Sequence, residues 1–222
     1  MMSTFGCGRS LSYEEMAEQE LEERYHMPFE VDNIQEQNIF DGYYTVIAYQ
    51  KEDPKTLFRA TINADGSGES DNYVCKLVCQ QITDRIARNL DALNGTYYIY
   101  TTPLIDSVGL TDVGMTVEQY MDRFPMDIFH IYLNYCPDQM DVDEFYKGLS
   151  NMFKGLDGLS GNIYLYMVKE NTIRDIQAYL EENDKMYDEY KAIVDPYYVG
   201  SIPFEKGKIK LTVSEIKDMV GN

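Results

Sequence analysis

Apolar positions return every three to four residues between residues 13 and 25, where Tyr13, Met16, Ala17, Leu21 and Tyr25 share one face of a predicted helix. Ser12 followed by Glu15 supplies its capping box, the hydroxyl and the carboxylate each satisfying an orphan N–H. The opposite face carries Glu14, Glu15, Glu18, Glu22 and Glu23, the pattern of a solvated acidic surface. Past Pro28 the period falls to two. Strands are expected over residues 29–34, 43–50 and 57–63, with Lys51–Thr56, containing Asp53–Pro54, as the turn of a hairpin between the last two. The run from Asn63 to Gly68 has the look of a calcium loop, but it lacks the alternating acidic ligands and the closing bidentate Glu, so it reads as a turn. It leads into a helix starting near residues 70–73 and running to about Leu90. Its Val74, Cys75, Val78, Cys79, Ile82, Ile86 and Leu90 form a stripe that faces a core.

Leu93-Asn94-Gly95 is a helix stop and the best domain boundary. It divides the chain into residues 1–95, an α-β-β-β-α subdomain, and residues 96–222, where strands and helices alternate before a hairpin and a last helix. The second part is read as a strand at 96–105, a short helix capped by Thr116 and Gln119, and a strand at 127–136. A helix capped by Asp141 with Glu144 follows, to about Leu156. Residues 162–169 are apolar on both faces, which marks a central strand covered on two sides. Asn171 opens a long helix to about Ile193, residues 204–209 make a small hairpin, and Thr212 with Glu215 caps the final helix. The fold class is therefore α+β: an N-terminal α-β-β-β-α unit packed on a C-terminal β-α-β-α-β unit with a mixed sheet.

Charge narrows the possible partners. With 19 Lys+Arg against 38 Asp+Glu the net charge is −19, which repels phosphate backbones and anionic membranes. Direct nucleic-acid binding is not expected. No apolar run is long enough to span a bilayer, and Met1 to Ser10 has no apolar signal region, so the expected location is the cytoplasm. Four irregularly spaced cysteines fit free thiols in a reducing compartment better than a disulfide framework.

Candidate chemistry is sparse. Cys136 and His130 share a strand face, but six residues at about 3.3 Å each keep them roughly 20 Å apart, too far for a nucleophile and its base. His26 fits a helix C-terminus. Cys75 and Cys79 lie one helical turn apart, yet no second Cys or His pair exists to complete a zinc site, and both continue the core stripe. Asp138, Asp141, Asp143 and Glu144 are the densest carboxylates and suit a helix N-terminus more simply than a magnesium site. Lys206, Lys208 and Lys210 form a basic strip of the kind that guards an edge strand. No phosphate-binding glycine loop, nucleophile elbow or zinc-protease motif occurs. No cofactor, metal or catalytic residue is assigned.

The unusual feature is 20 Tyr with no Trp, six of them in three adjacent pairs: Tyr43–Tyr44, Tyr97–Tyr98 and Tyr197–Tyr198. On a strand, neighbours point to opposite faces, so each pair places one ring in each layer. Tyrosine suits contact surfaces because its ring is apolar and its hydroxyl stays wet. These six residues are the candidate interaction surface.

The stretch from Leu11-Ser-Tyr-Glu-Glu-Met-Ala-Glu through Tyr25-His-Met-Pro-Phe-Glu-Val31 resembles a family of small proteins from low-GC Gram-positive gut bacteria (Firmicutes). Asp65-Gly-Ser-Gly-Glu-Ser-Asp-Asn-Tyr73 and Gly158-Leu-Ser-Gly-Asn-Ile-Tyr164 resemble it too. The resemblance implies no activity and no site residues. It does imply that some members are encoded near conjugative or other mobile elements, and that some are lipoprotein-like and exported. Here no apolar run precedes Cys7. The leading expectation is a soluble, non-catalytic module that binds another protein, with its oligomeric state left open. The alternatives are an acidic decoy that mimics nucleic acid to occupy a basic DNA-binding protein and, last, a metal-dependent hydrolase using the carboxylates at 138–144.

Overall fold

The computed structural model describes residues 11–38, 42–90, 93–104, 109–182 and 194–221. The α+β class and the order of elements are those expected from the pattern. The chain forms two compact units, Met1–Tyr73 with Val108–Thr111, and Val74–Ser107 with Asp112–Asn222.

In the first unit, helix α1 (Tyr13–Tyr25) starts at the Ser12–Glu15 capping box and ends at His26, whose left-handed backbone sends its N–H to the Glu22 carbonyl. It lies on an antiparallel sheet of order β1-β2-β3-β4: β1 (Phe29–Asn38), β2 (Tyr43–Gln50), β3 (Asp53–Asn63) and β4 (Gly68–Asp71). Ala17, Leu21 and Tyr25 bury the apolar face of α1. The core includes a ring cluster of Tyr25, Phe29, Phe58 and Tyr73 with centroids 4.7–5.6 Å apart.

Two expectations change here. The turn between β2 and β3 shrinks to Lys51-Glu52, and Pro54 lies inside β3. Proline is tolerated there because β4 pairs only with Ala60, Thr61 and Ile62, so its missing N–H breaks no ladder. The 63–68 segment is a turn, with Asp65 accepting from the Ser67 N–H and hydroxyl, but it leads first into the short strand β4. The hydrophobic pattern gave no sign of β4, since Gly-Glu-Ser-Asp has no apolar residue.

Helix α2 (Tyr73–Leu90) buries the whole predicted stripe from Val74 to Leu90. The second sheet, order β5-β6-β7-β8-β9, comprises β5 (Gly95–Pro103), β6 (Phe129–Pro137), β7 (Gly161–Met167), β8 (Tyr198–Glu205) and β9 (Lys208–Ile209). Only β6 and β7 pair in parallel, which makes the sheet mixed. Gly95 is thus where the second sheet begins, while all of α2 after Tyr73 groups with that sheet. Among the described residues, the unit also holds helices α3 (Val117–Arg123), α4 (Val142–Asn151), α5 (Glu170–Glu182) and α6 (Val213–Val220). Thr116 and Thr212 form the expected capping boxes.

Helix α4 stops at Asn151 rather than near Leu156, and the apolar run continues through turns that bury Met152, Phe153 and Leu156. Asp141 caps it, but Glu144 does not return to complete a box and meets the Asn94 amide at 3.4 Å instead. The expected extension of α5 to Ile193 and of β5 to Ile105 lies outside the described residues.

Candidate functional site

Strand β6 alternates strictly. Phe129 and Tyr135 share with Ile131 and Leu133 the face that meets α3 and α4: Tyr135 stacks on Phe145 of α4 (5.3 Å, 8°), and Phe129 meets Tyr120 of α3 (6.0 Å). His130, Tyr132, Asn134 and Cys136 take the other face. Register brings further tyrosines alongside them. Tyr98 and Tyr100 of β5 lie opposite Asn134 and Tyr132; Tyr164 and Tyr166 of β7 lie beside Tyr132 and Asn134; Tyr198 of β8 lies opposite Tyr166.

The rings make a row across the strands. Tyr100 and Tyr132 are 6.1 Å apart, Tyr132 and Tyr164 stack at 5.2 Å and 17°, and His130 sits edge-on to Tyr164 at 5.1 Å. Tyr166 and Tyr198 meet at 5.4 Å. One part of this face is covered: Ile173 and Ile176 of α5, with Val168 and Val194, bury Tyr132 and Tyr166. Tyr98, Tyr100, Tyr164, Tyr197 and Cys136 are half-buried around that cluster, and Tyr198 is 46% exposed. Burial lowers the His130 pKa by disfavouring the charged ring, and the imidazole takes its place in the aromatic row.

The three tyrosine pairs are divided between the two units. Tyr98, Tyr197 and Tyr198 come together. Tyr97, on the opposite face of β5, donates its hydroxyl to the Ala87 carbonyl of α2 at 3.1 Å. Tyr43 and Tyr44 lie in the first unit, where Tyr44 is a core residue, 2% exposed, its hydroxyl donating to the Tyr13 carbonyl. The residues missed by looking for adjacent pairs are Tyr100, Tyr132, Tyr164 and Tyr166. Period-two spacing within each predicted strand was the signal that would have found them.

No family model matches the chain, and no curated protein matches it. A solved structure does. The crystal structure of a DUF5037 family protein from Ruminococcus gnavus ATCC 29149 aligns with a TM-score of 0.72, covering 95% of this chain and 100% of that one at 15% identity. Identity that low establishes the fold alone. The neighbour comes from a gut bacterium of the Firmicutes.

The remaining candidates resolve into structural roles. Cys75 and Cys79 are buried in the α2 stripe, with Cys75 Sγ 3.6 Å from the Tyr120 hydroxyl. Asp141 Oδ1 accepts from the N–H groups of Asp143 and Glu144 at 2.9 and 3.0 Å. Among the described residues, no three His, Cys, Asp or Glu side chains are placed to share a metal ion. No described helix is long and apolar enough to cross a membrane. Lys206 lies in the β8–β9 turn, Lys208 opens β9, and Lys210 pairs with Glu205 at 2.6 Å.

A cleft of about 260 Å³ opens between α3 and the turn at 155–159, lined in part by Glu118, Asp122, Asp157 and Leu159. Arg85 pairs with Glu118 through both terminal Nη atoms of its guanidinium, which holds the carboxyl down at about 2. A depressed folded-state pKa gives stability that is present above the ordinary value of 4.5 and lost as pH falls toward 2. Glu118 is 61% exposed, so solvent screens the pair. Glu118→Gln is expected to cost under about 1 kcal/mol at pH 7 in low salt and nothing measurable in 1 M salt, by chemical denaturation.

Proposed function

We propose that this protein is a non-catalytic interaction module that engages another protein through the tyrosine-bearing face of its second sheet. The observation that carries the reading is the convergence of tyrosines from β5, β6, β7 and β8 on one face, with α5 covering only part of it. Stacked rings lock one another's rotamers, so the half-exposed tyrosines offer a rigid, amphipathic surface at little entropic cost. The competing reading, an acidic decoy for a basic DNA-binding protein, draws on the net charge of −19 and on the exposed Glu14, Glu22 and Glu23 of α1.

A photo-reactive residue at Tyr198, with capture from lysate of the native host and mass spectrometry, yields the partner to be purified. Tyr198→Ala and Tyr164→Ala are then expected to weaken binding by about 30-fold, as for aromatic hot spots worth about 2 kcal/mol, with little dependence on salt. Binding that is indifferent to both tyrosines and falls steeply with salt overturns this reading in favour of the decoy.

A further inference from the structure

Strands at the rim of a sheet carry a row of backbone N–H and C=O groups able to pair with another chain, and proteins guard such rims with charge, bulges or brevity. Of the four sheet rims among the described residues, three are guarded. Strand β1 has register shifts between Val31 and Asn33 and between Ile34 and Glu36, and carries Glu30 and Asp32. Strand β4 has four residues and ends in Asp71. Strand β9 has two residues within the Lys206/Lys208/Lys210 strip.

The fourth rim is different. Strand β5, Gly-Thr-Tyr-Tyr-Ile-Tyr-Thr-Thr-Pro, pairs with β6 without interruption over Gly95–Pro103 and contains no charged residue, in a chain that is 26% charged. Among the described residues no strand lies on its other side. Lys76 of α2 is held at the Tyr100 ring, 3.4 Å from its hydroxyl and 6.0 Å from the centroid.

We propose that β5 pairs with β5 of a second copy of this chain, antiparallel about Ile99, joining two five-stranded sheets into one. The sequence is self-complementary in that register. Tyr98 meets Tyr100 of the other copy, Tyr97 meets Thr101, and Thr96 meets Thr102. These are aromatic–aromatic, aromatic–β-branched and Thr–Thr pairs, the favourable cross-strand combinations, and no like charges meet. The twofold axis sends each pair to the same face in both copies, so the tyrosine row would run on across the junction. Two chains of charge −19 repel each other as wholes, and the uncharged rim is where that repulsion is locally weakest. This inference concerns a sheet rim rather than the sheet face, and it stands whether or not the face binds a partner.

Sedimentation equilibrium of the full chain tests it, with added salt expected to tighten association by screening the net charge. Thr96→Lys with Thr102→Lys sets like charges opposite each other at both ends of the junction and is expected to weaken the dimer by about tenfold or more. Thr96→Lys with Thr102→Glu sets opposite charges there and is expected to dimerise at least as well as the native chain. Thr96 is exposed and Thr102 half-buried, so both variants should keep the native thermal midpoint. Should the double-lysine variant fail to fold, Thr96→Lys alone is read against the charge-paired variant in the same way. A native chain that stays monomeric into the hundred-micromolar range overturns the proposal, and so do variants that dimerise equally.

Discussion

Replacing Asp71 with alanine is expected to lower the thermal midpoint by on the order of 10 °C, a loss of about 3–5 kcal/mol. Asp71 has a side chain only 1% exposed and is the hub of a buried network. Its Oδ2 accepts from Arg24 Nη1 at 2.6 Å, and its Oδ1 accepts from the Tyr25 hydroxyl at 2.6 Å and from the Tyr73 N–H at 3.0 Å. Arg24 Nη2 donates onward to Glu20 at 3.0 Å. Desolvation and the neighbouring carboxylate both push the Tyr25 phenol far up, so it remains a donor at any ordinary pH. Alanine removes the anion and leaves the Arg24 guanidinium, 16% exposed, paired with Glu20. It also leaves the first N–H of α2 without its carboxylate. The cost comes from the stranded partners rather than from the strength of the pair. Arg24→Met combined with Asp71→Leu should therefore recover part of the loss, which urea denaturation of the three variants measures. Equal stability for Asp71→Ala and the native chain would show that the network contributes nothing.

None of that network was legible beforehand, and the reason is physical. The periodicity of α1 identifies Ala17, Leu21 and Tyr25 as its buried side, and the structure agrees. Periodicity ranks positions by hydrophobicity, however, and Arg24 and Asp71 are polar residues buried by their pairing. The one available sign was Arg24 itself, a lone base among the glutamates of α1, four residues after Glu20. The capping boxes at Ser12, Thr116 and Thr212 were legible because they are local, needing only residues three apart. Strand β4 was not, because it is held by backbone pairing to Ala60–Ile62 and carries no pattern of its own.

The tyrosine face falls between these cases. Each strand's alternation was present in the sequence, and the apolar-on-both-sides pattern marked β7 as central, as the order β5-β6-β7-β8-β9 has it. What the sequence could not supply was the register that sets Tyr100, Tyr132 and Tyr164 side by side, since that depends on where β5 and β7 start against β6. Both starts are glycines. Gly95 was read as a helix stop; it is also the residue opposite Pro137, with a left-handed φ of +130° and no room for a side chain, a Cβ falling 2.3 Å from the Cys136 carbonyl oxygen.

Gly161→Ala is accordingly expected to cost about 3 kcal/mol or more, and to do so by displacing β7 rather than by opening a cavity. Gly161 sits opposite Phe129, where the parallel pairing begins and where the Phe129 N–H donates to the Ser160 carbonyl at 2.9 Å. A Cβ there would lie 1.8 Å from the Phe129 carbonyl oxygen and within 3 Å of two more of its backbone atoms. No rotamer change relieves a collision with backbone, so the strands must part at their first pair. Gly155→Ala is the matching control. Its φ is +79°, but nothing lies within 4 Å of its Cβ, so only the left-handed backbone strain of about 1–2 kcal/mol is expected. Denaturant midpoints separate the two, and amide exchange locates the damage. For Gly161→Ala, protection should fall along β7 and at the start of β6, and Tyr164 should lose its stacking on Tyr132. Equal costs at the two glycines would mean that the close approach of β7 to β6 does not set the register that assembles the tyrosine row.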